Sequence, residues 1–232
     1  MQKNQHTELV FVLDRSGSMQ GMEEQAVKSF NSFLNDQKEV EGDASLSLVL
    51  FDNIIEIPIR AEDIQKVNEI SAEDFNPRAT TALLDAIGSS IADADNRIKK
   101  FQGRDQDKEV NVIFAIFTDG YENDSAEYSW KKVSEMISKR TGKGWEFLFL
   151  AANEDAIATA SNLNIKSHNA SQVQFTEDAM GSWGDSVSSK AKAMRLKSMD
   201  LNYDKACYMQ SLSDIVEDGL EKLKEEKKNI QK

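Results

Sequence analysis

The sequence predicts an α/β fold of the doubly wound kind, with a mostly parallel sheet and helices on both faces. The first observation is that four short apolar runs lack clean alternation, which is typical of strands covered on both faces. These runs are Leu9–Leu13, Leu46–Phe51, Val110–Phe117 and Phe147–Ala152. The second observation is that segments with helical periodicity separate the runs, as in consecutive βαβ units.

The segment after the first strand is predicted to be an amphipathic helix. Its apolar residues recur at the spacing that places them on one face of a helix. They are Met22, Ala26, Phe30, Phe33 and Leu34.

The second strand is followed by a hairpin. The apolar segment Ile54–Ile59 begins only two residues after Phe51, and parallel strands need a much longer crossover. We therefore expect Ile54–Ile59 to be antiparallel and to lie at the sheet edge, where Pro58 is tolerated. The polar segment Arg60–Asn76 is predicted to be partly helical.

Three more helices are predicted within the sheet-forming part of the chain. One carries Leu84, Ile87, Ile91 and Ile98 on one face, another spans Tyr128–Thr141, and a third follows Asn153. The apolar strands stop at about Ala170, and we predict helices within Ser186–Lys197 and Lys205–Lys228. The sequence thus predicts a domain at 1–169 and a helical C-terminal extension at 170–232. The extension either packs on that domain, which we favour, or uses Trp183, Met194, Met199 and Met209 to form a groove for another chain.

Composition and charge argue against several kinds of binding partner and against a Cys/His metal site. The 232 residues include 40 Asp and Glu against 28 Lys and Arg, for a net charge of -12. Such a surface repels phosphate backbones and anionic lipids, so nucleic acid and membrane partners are not expected. One cysteine and two histidines do not suffice for a Cys/His zinc site. With no signal peptide or membrane-spanning run recognisable in the sequence, we expect a cytoplasmic location.

The strongest local motif is Asp14-Arg15-Ser16-Gly17-Ser18, which lies between the first strand and the first helix. A carboxylate and two hydroxyls at alternate positions place hard oxygen ligands on one side of a turn, which suits Mg²⁺ or Mn²⁺ better than zinc. The alternative is that both serines only cap the helix that follows.

Two further polar segments are predicted to converge on this motif. Thr80 and Thr81 begin a helix, and Thr118-Asp119-Gly120 ends the most hydrophobic strand. Loops at the carboxyl ends of neighbouring strands meet where the winding of a doubly wound sheet reverses. The alternatives are helix capping for the threonines and an ordinary turn for Asp119-Gly120.

Competing motifs fail at specific positions. An EF-hand starting at Asp14 would need Gly and Glu where Met19 and Gln25 stand. The sequence contains no GxxxxGK[ST] loop, no HExxH and no GxSxG elbow. Serine hydrolysis would have to recruit His6 or His168, which no motif places, and Cys207 is interpreted as a packing residue.

These three separated segments resemble the metal ion-dependent adhesion site of von Willebrand factor A domains. The resemblance rests on DRSGS (Asp14–Ser18), the threonine of ATTALLDAIG (Ala79–Gly88) and FTDG (Phe117–Gly120), and it covers about 7–169. The stretch GWEFLFLAANEDA (Gly144–Ala156) is similar to a small, single-domain bacterial branch of the family.

The resemblance implies a Rossmann-like six-stranded sheet of order 3-2-1-4-5-6 with the third strand antiparallel. It also implies a metal site formed by Asp14, Ser16, Ser18, Thr81 and Asp119. Thr81 is preferred to Thr80 because the family threonine lies six residues before the helix isoleucine, here Ile87. The Gly-Gly pair that commonly precedes this threonine is replaced by Ala79-Thr80, which alters a tight backbone approach but removes no ligand.

Such a site implies a non-enzymatic protein-binding module. Three neutral hydroxyls and only two carboxylates, one of them acting through water, leave a divalent ion under-neutralised and with an open position. A carboxylate from a protein partner can fill that position. Mg²⁺ or Mn²⁺ is expected and Ca²⁺ is less favoured; Asp52 and Glu122 either line the rim or are ordinary surface carboxylates. The alternatives are a Mg²⁺-dependent phosphohydrolase and a scaffold with a purely structural metal.

Overall fold

The computed structural model describes residues 5–102, 109–174 and 176–230. Its centre is a six-stranded sheet of order β3-β2-β1-β4-β5-β6, which confirms the predicted order. The strands are β1 (Gln5–Asp14), β2 (Ala44–Phe51), β3 (Ile55–Asp63), β4 (Glu109–Thr118), β5 (Glu146–Ala151) and β6 (Ala170–Gln172).

Seven α-helices surround the sheet in the described part of the chain. They are α1 (Glu23–Lys38), α2 (Leu83–Gln102), α3 (Trp130–Thr141), α4 (Ala156–Asn162), α5 (Glu177–Ser198), α6 (Lys205–Met209) and α7 (Leu212–Ile230). Short 3₁₀ turns, including Ile64–Lys66 and Ala72–Asp74, account for the partly helical character predicted between β3 and α2.

The hairpin prediction is confirmed. Strand β3 pairs antiparallel with β2 and forms one edge of the sheet, whereas the other neighbouring strands pair in parallel. The three-residue link between Phe51 and Ile55 cannot return the chain to the opposite end of the sheet, so the antiparallel direction follows from loop length alone.

Both faces of the sheet are buried, which explains the unbroken apolar runs. Leu9, Phe11 and Leu13 of β1 belong to one core cluster with α1 and α5. Val10 and Val12, which point the other way, belong to a second cluster with α2, α3 and α4. Alternate residues of β1 thus enter two different cores, so every position from Leu9 to Leu13 is apolar.

The C-terminal helices pack on the sheet domain. Trp183 and Val187 of α5 enter the core beside α1. At Gly184 an added Cβ would collide with the Ser29 carbonyl of α1, so glycine permits a close approach of the two helices. The fully buried Arg195 of α5 donates to the Gln37 carbonyl at 2.7 Å. Burial and hydrogen bonding together hold α5 in one position against α1.

Two features differ from the sequence-based expectations. Strand β6 lies at Ala170–Gln172, within the segment interpreted as a helical extension, and it pairs in parallel with β5. Met209 is 75% exposed, whereas Trp183, Met194 and Met199 are buried. Met209 ends the short helix α6, which extends one turn only and leaves its last side chain in solvent.

A search of the described helices finds none that is long and apolar enough to cross a membrane.

Candidate metal centre

The site begins at Asp14, the last residue of β1, whose side chain is fully buried. One carboxylate oxygen accepts the Ser16 amide at 2.7 Å, and the other accepts the Thr118 hydroxyl at 2.5 Å. Thr118 ends β4, which lies directly beside β1. The parallel pairing of these two central strands therefore brings the first and third polar segments together.

Ser16, Ser18 and Asp119 form a continuous chain of contacts beside Asp14. The hydroxyl oxygens of Ser16 and Ser18 lie 3.0 Å apart, and the Ser18 hydroxyl donates to Asp119 at 2.8 Å. Asp14 and Ser16 are buried, Asp119 is half-buried and Ser18 is exposed. The group thus opens to solvent on the side of Ser18 and Asp119.

The second loop contributes Thr81 to the same group. Its buried side chain lies against Gly120, where an added Cβ would come within 2.8 Å of the Thr81 Oγ1 and 3.6 Å of the Ser18 Oγ. Glycine at 120 therefore leaves room for two hydroxyls. The neighbouring Thr80 points elsewhere and donates to Asp124 at 2.6 Å.

The structure thus brings together all five residues predicted as metal ligands. These residues are Asp14, Ser16, Ser18, Thr81 and Asp119. Their role as metal ligands remains a prediction.

Among the described residues, neither carboxylate has the cationic partner that a buried negative charge needs. Burial raises the pKa of Asp14 above its usual range. Burial, together with the nearby Asp14 charge, raises the pKa of Asp119 to about 6. No arginine or lysine contributes to either shift. Two carboxylates in this position are costly unless a cation joins them.

The donor set fits a hard divalent cation. It offers carboxylate and hydroxyl oxygens without sulfur or imidazole, which matches the preference of Mg²⁺ and Mn²⁺. In the described residues no cluster of three or more His, Cys, Asp or Glu side chains could hold a metal. A metal at this site would therefore depend on hydroxyl ligands as well as on the two carboxylates.

Sequence reasoning missed three supporting residues. The Thr118 hydroxyl holds Asp14, and the Asn123 side chain accepts the Thr81 amide at 2.9 Å. The Asn153 side chain, which follows β5, donates to the Gly120 carbonyl at 3.0 Å. Only Thr118 carried a sequence signal, since it precedes Asp119 in the third segment.

Neither of the two residues suggested for the rim stands free at its edge. Asp52 is fully buried and lies between two arginines, Arg15 at 3.2 Å and Arg78 at 2.7 Å. Glu122 accepts the Leu84 amide at 3.0 Å at the start of α2 and the Ser125 hydroxyl at 2.8 Å. Asp52 is thus part of an ion-pair cluster, and Glu122 orders the loop between β4 and α3.

Comparison with solved structures places the chain in a known fold. Proximal thread matrix protein 1 from the mussel byssus, solved with a zinc-occupied MIDAS motif, has a TM-score of 0.55 at 16% identity, covering 81% of this chain and 46% of that one. A von Willebrand factor type A protein from Catenulispora acidiphila has a TM-score of 0.54 at 13% identity, covering 82% and 43%. The PilB minor pilin from Streptococcus sanguinis has a TM-score of 0.53 at 13% identity, covering 83% and 62%.

These likenesses concern the fold, since all three identities are low. The chain spans less than two thirds of the length of each of these three structures. A search of curated proteins finds no match. The family comparison is more direct, because the von Willebrand factor type A domain matches residues 8–189, a range that contains all six strands except the first residues of β1. The chain therefore belongs to the von Willebrand factor type A domain family.

Proposed function

We propose that this protein is a divalent-metal-dependent protein-binding module. Asp14, Ser16, Ser18, Thr81 and Asp119 would hold Mg²⁺ or Mn²⁺, and a carboxylate from a partner protein would complete the coordination. The observation that carries the proposal is the pair of carboxylates, Asp14 and Asp119. They lie among hydroxyls at the carboxyl edge of the sheet, and no cationic side chain of the described part of the chain is paired with them.

The ligand chemistry supports recognition of an acidic partner. A bound divalent ion would supply a Lewis-acidic centre. The two carboxylates would at most balance its positive charge, and the three neutral hydroxyls would not reduce that charge. The exposed side of Ser18 and the half-buried Asp119 leave that centre accessible from solvent. The zinc-occupied motif of the mussel protein supports the assignment of a metal to this edge of the fold.

A binding role without catalysis is part of the proposal. The groups that contact the two carboxylates in the described structure are hydroxyls and backbone amides, which are poor general bases. The choice of Mg²⁺ or Mn²⁺ and a cytoplasmic location also remain predictions; the second rests on composition and on the single free cysteine, Cys207.

Metal binding is tested by calorimetric titration of Mg²⁺ and Mn²⁺ into chelator-stripped protein. We expect saturable binding by the wild type, which Asp14→Ala and Asp119→Ala lose while remaining folded. Glu127→Ala is a matched control, because Glu127 is an exposed carboxylate on the same loop as Asp119. Equal affinity in the wild type and Asp119→Ala would contradict the assignment of the site.

The open coordination position is tested with Mn²⁺-loaded protein by water proton relaxation. A metal-bound water raises the relaxation rate, and we expect acetate to displace that water and lower the rate. Relaxation that is insensitive to acetate would contradict carboxylate recognition. Turnover of p-nitrophenyl phosphate that requires Mg²⁺ and is lost in Asp14→Ala would instead support an enzyme.

A further inference from the structure

Four charged residues form an ion-pair cluster beside the candidate metal site. Arg15 follows Asp14, Asp52 follows β2, Glu56 lies on β3, and Arg78 precedes α2. Arg15 and Arg78 contact Asp52 at 3.2 and 2.7 Å. The same two arginines contact Glu56 at 2.8 and 2.7 Å. Each arginine therefore bridges both carboxylates, and each carboxylate bridges both arginines.

The cluster coincides with a set of backbone hydrogen bonds between the first and second loops. The Arg78 amide donates to the Arg15 carbonyl at 2.9 Å, and the Gly17 amide donates to the Ala79 carbonyl at 3.0 Å. The Ala82 amide donates to the Asp52 carbonyl at 2.9 Å. Because Gly17 lies between the two site serines and Ala82 follows Thr81, these bonds set the separation of the hydroxyls.

The second loop has a strained backbone at Ala79. Ala79 has a φ of 55°, in the left-handed region that L-residues other than glycine rarely occupy. The exposed Ala79 and Thr80 lack core packing that would fix this conformation. The side chain of Arg78, bound to both Asp52 and Glu56, is the polar anchor on the N-terminal side of the strained residue, and the Thr80 hydroxyl, bound to Asp124, is an anchor on the other side.

We propose that Arg78, together with Arg15, is a positioning residue for the metal site, because the ion-pair cluster holds the loop that carries Thr81 against the loop that carries Ser16 and Ser18. The inference rests on the proposed function, since it concerns the same site. Arg78 is the residue to change, because its side chain is 41% exposed whereas that of Arg15 is 4% exposed. Its loss leaves the buried Arg15–Asp52 pair in place.

Simple electrostatics and the positioning role predict opposite results for Arg78→Ala. Removal of a nearby positive charge would by itself strengthen the binding of a cation. Loss of a residue that orients metal ligands weakens binding, commonly by about 10- to 100-fold. We expect Arg78→Ala to weaken Mn²⁺ binding about tenfold or more.

The experiment measures Mn²⁺ affinity by calorimetry for the wild type, Arg78→Ala, Arg78→Lys and Arg60→Ala. Arg60 is the matched control, because it is an arginine with 59% side-chain exposure whose contact with Asp93 is long, at 3.9 Å. Lysine lacks the fork that reaches two carboxylates, so Arg78→Lys should recover only part of the affinity. Hydrogen exchange should be faster at the Gly17 and Ala82 amides of Arg78→Ala and unchanged in Arg60→Ala.

The outcomes separate this inference from the proposed function. Mn²⁺ binding by Arg78→Ala that equals or exceeds wild-type binding, with unchanged exchange at Gly17 and Ala82, would overturn the positioning role and leave the metal site intact. Absence of Mn²⁺ binding by the folded wild type would contradict the proposed function, and the inference would fall with it.

Discussion

Two pairs of carboxylates lie side by side at the carboxyl edge of the sheet, and their surroundings are opposite. Asp52 and Glu56 are each bridged by two arginines, and the hydrogen bonds from Arg15 and Arg78 lower the pKa of Glu56 to about 2. Asp14 and Asp119 are surrounded by hydroxyls, and the pKa of Asp119 is raised to about 6. The chain supplies the cations of the first pair itself, and under the proposed function a metal ion from solution would supply the cation of the second.

The difference predicts which pair stabilises the metal-free fold. Asp52→Asn would leave the buried Arg15 without its buried carboxylate partner, with only the half-exposed Glu56 paired to it among the described residues. We expect the free energy of unfolding to fall by about 3–5 kcal/mol. Urea denaturation of the metal-free protein measures this. Glu135→Gln is the control, since the Lys131–Glu135 pair is exposed and separated by 4.0 Å, and its loss should cost about 0–1 kcal/mol. Equal effects of the two substitutions would contradict the contrast.

Metal affinity should depend on pH through the second pair. Below about pH 6 the Asp119 carboxylate of the metal-free protein carries a proton, which a divalent ion must displace. We expect Mg²⁺ affinity to fall by about tenfold per pH unit below that value, equivalent to about 1.4 kcal/mol, and to level off above it. Calorimetry between pH 5 and 8 measures the profile. A flat profile over this range would show that no ligand titrates near pH 6.

Asp119→Asn should stabilise the metal-free protein at neutral pH. Because the folded-state pKa of Asp119 is raised from 3.8 to about 6, the folded protein binds more protons than the unfolded chain between these values. The free energy of unfolding therefore falls as pH rises through this range. The Asp119→Asn variant does not titrate at this position and avoids that loss. After allowance for the partial exposure of Asp119, we expect its free energy of unfolding to be about 1 kcal/mol higher than that of the wild type at pH 7.5.

Thermal or urea unfolding in the presence of a chelator measures this gain, and saturating Mg²⁺ should reverse the order of stability. A metal-free Asp119→Asn protein that is less stable than the wild type at pH 7.5 would show that Asp119 already has a favourable partner.

The smallest expected effect concerns Ala79, in the loop between β3 and α2. Ala79→Gly relieves a left-handed residue with φ of 55°, at the cost of greater freedom in the unfolded chain. We expect a net gain in the free energy of unfolding of about 0.5–1 kcal/mol. The control is Ala72→Gly, on an exposed 3₁₀ turn, where the same substitution should destabilise. Loss of stability in both variants would contradict strain at Ala79.

The order of the strands was implied by the family resemblance, and five of the strands themselves were recognisable from the sequence, because each contains an apolar segment long enough to identify. Strand β6 was not, since Ala170–Gln172 is only three residues long and one of them is polar and exposed. Its position is set by pairing with β5 rather than by hydrophobic patterning. The exposed Met209 was unpredictable for a similar reason, as nothing local shows that α6 ends after one turn.

The site shows the same division between local and tertiary information. The candidate ligands lie in short motifs, so they were identified before the structure. The contacts of Thr118 with Asp14 and of Arg78 with Asp52 join segments far apart in the chain. They depend on which strands are neighbours, and isolated arginines and aspartates carry no spacing signal that pairs them.

The central claim is that Asp14 and Asp119 form a carboxylate pair whose cation is supplied from solution. The most direct test is a ¹³C NMR titration of the Asp119 side-chain carboxyl in metal-free and Mg²⁺-saturated protein. We predict a midpoint near pH 6 without metal and a shift to well below the ordinary aspartate value of about 3.9 with Mg²⁺. A midpoint near 3.9 in both samples, unchanged by Mg²⁺, would contradict the claim.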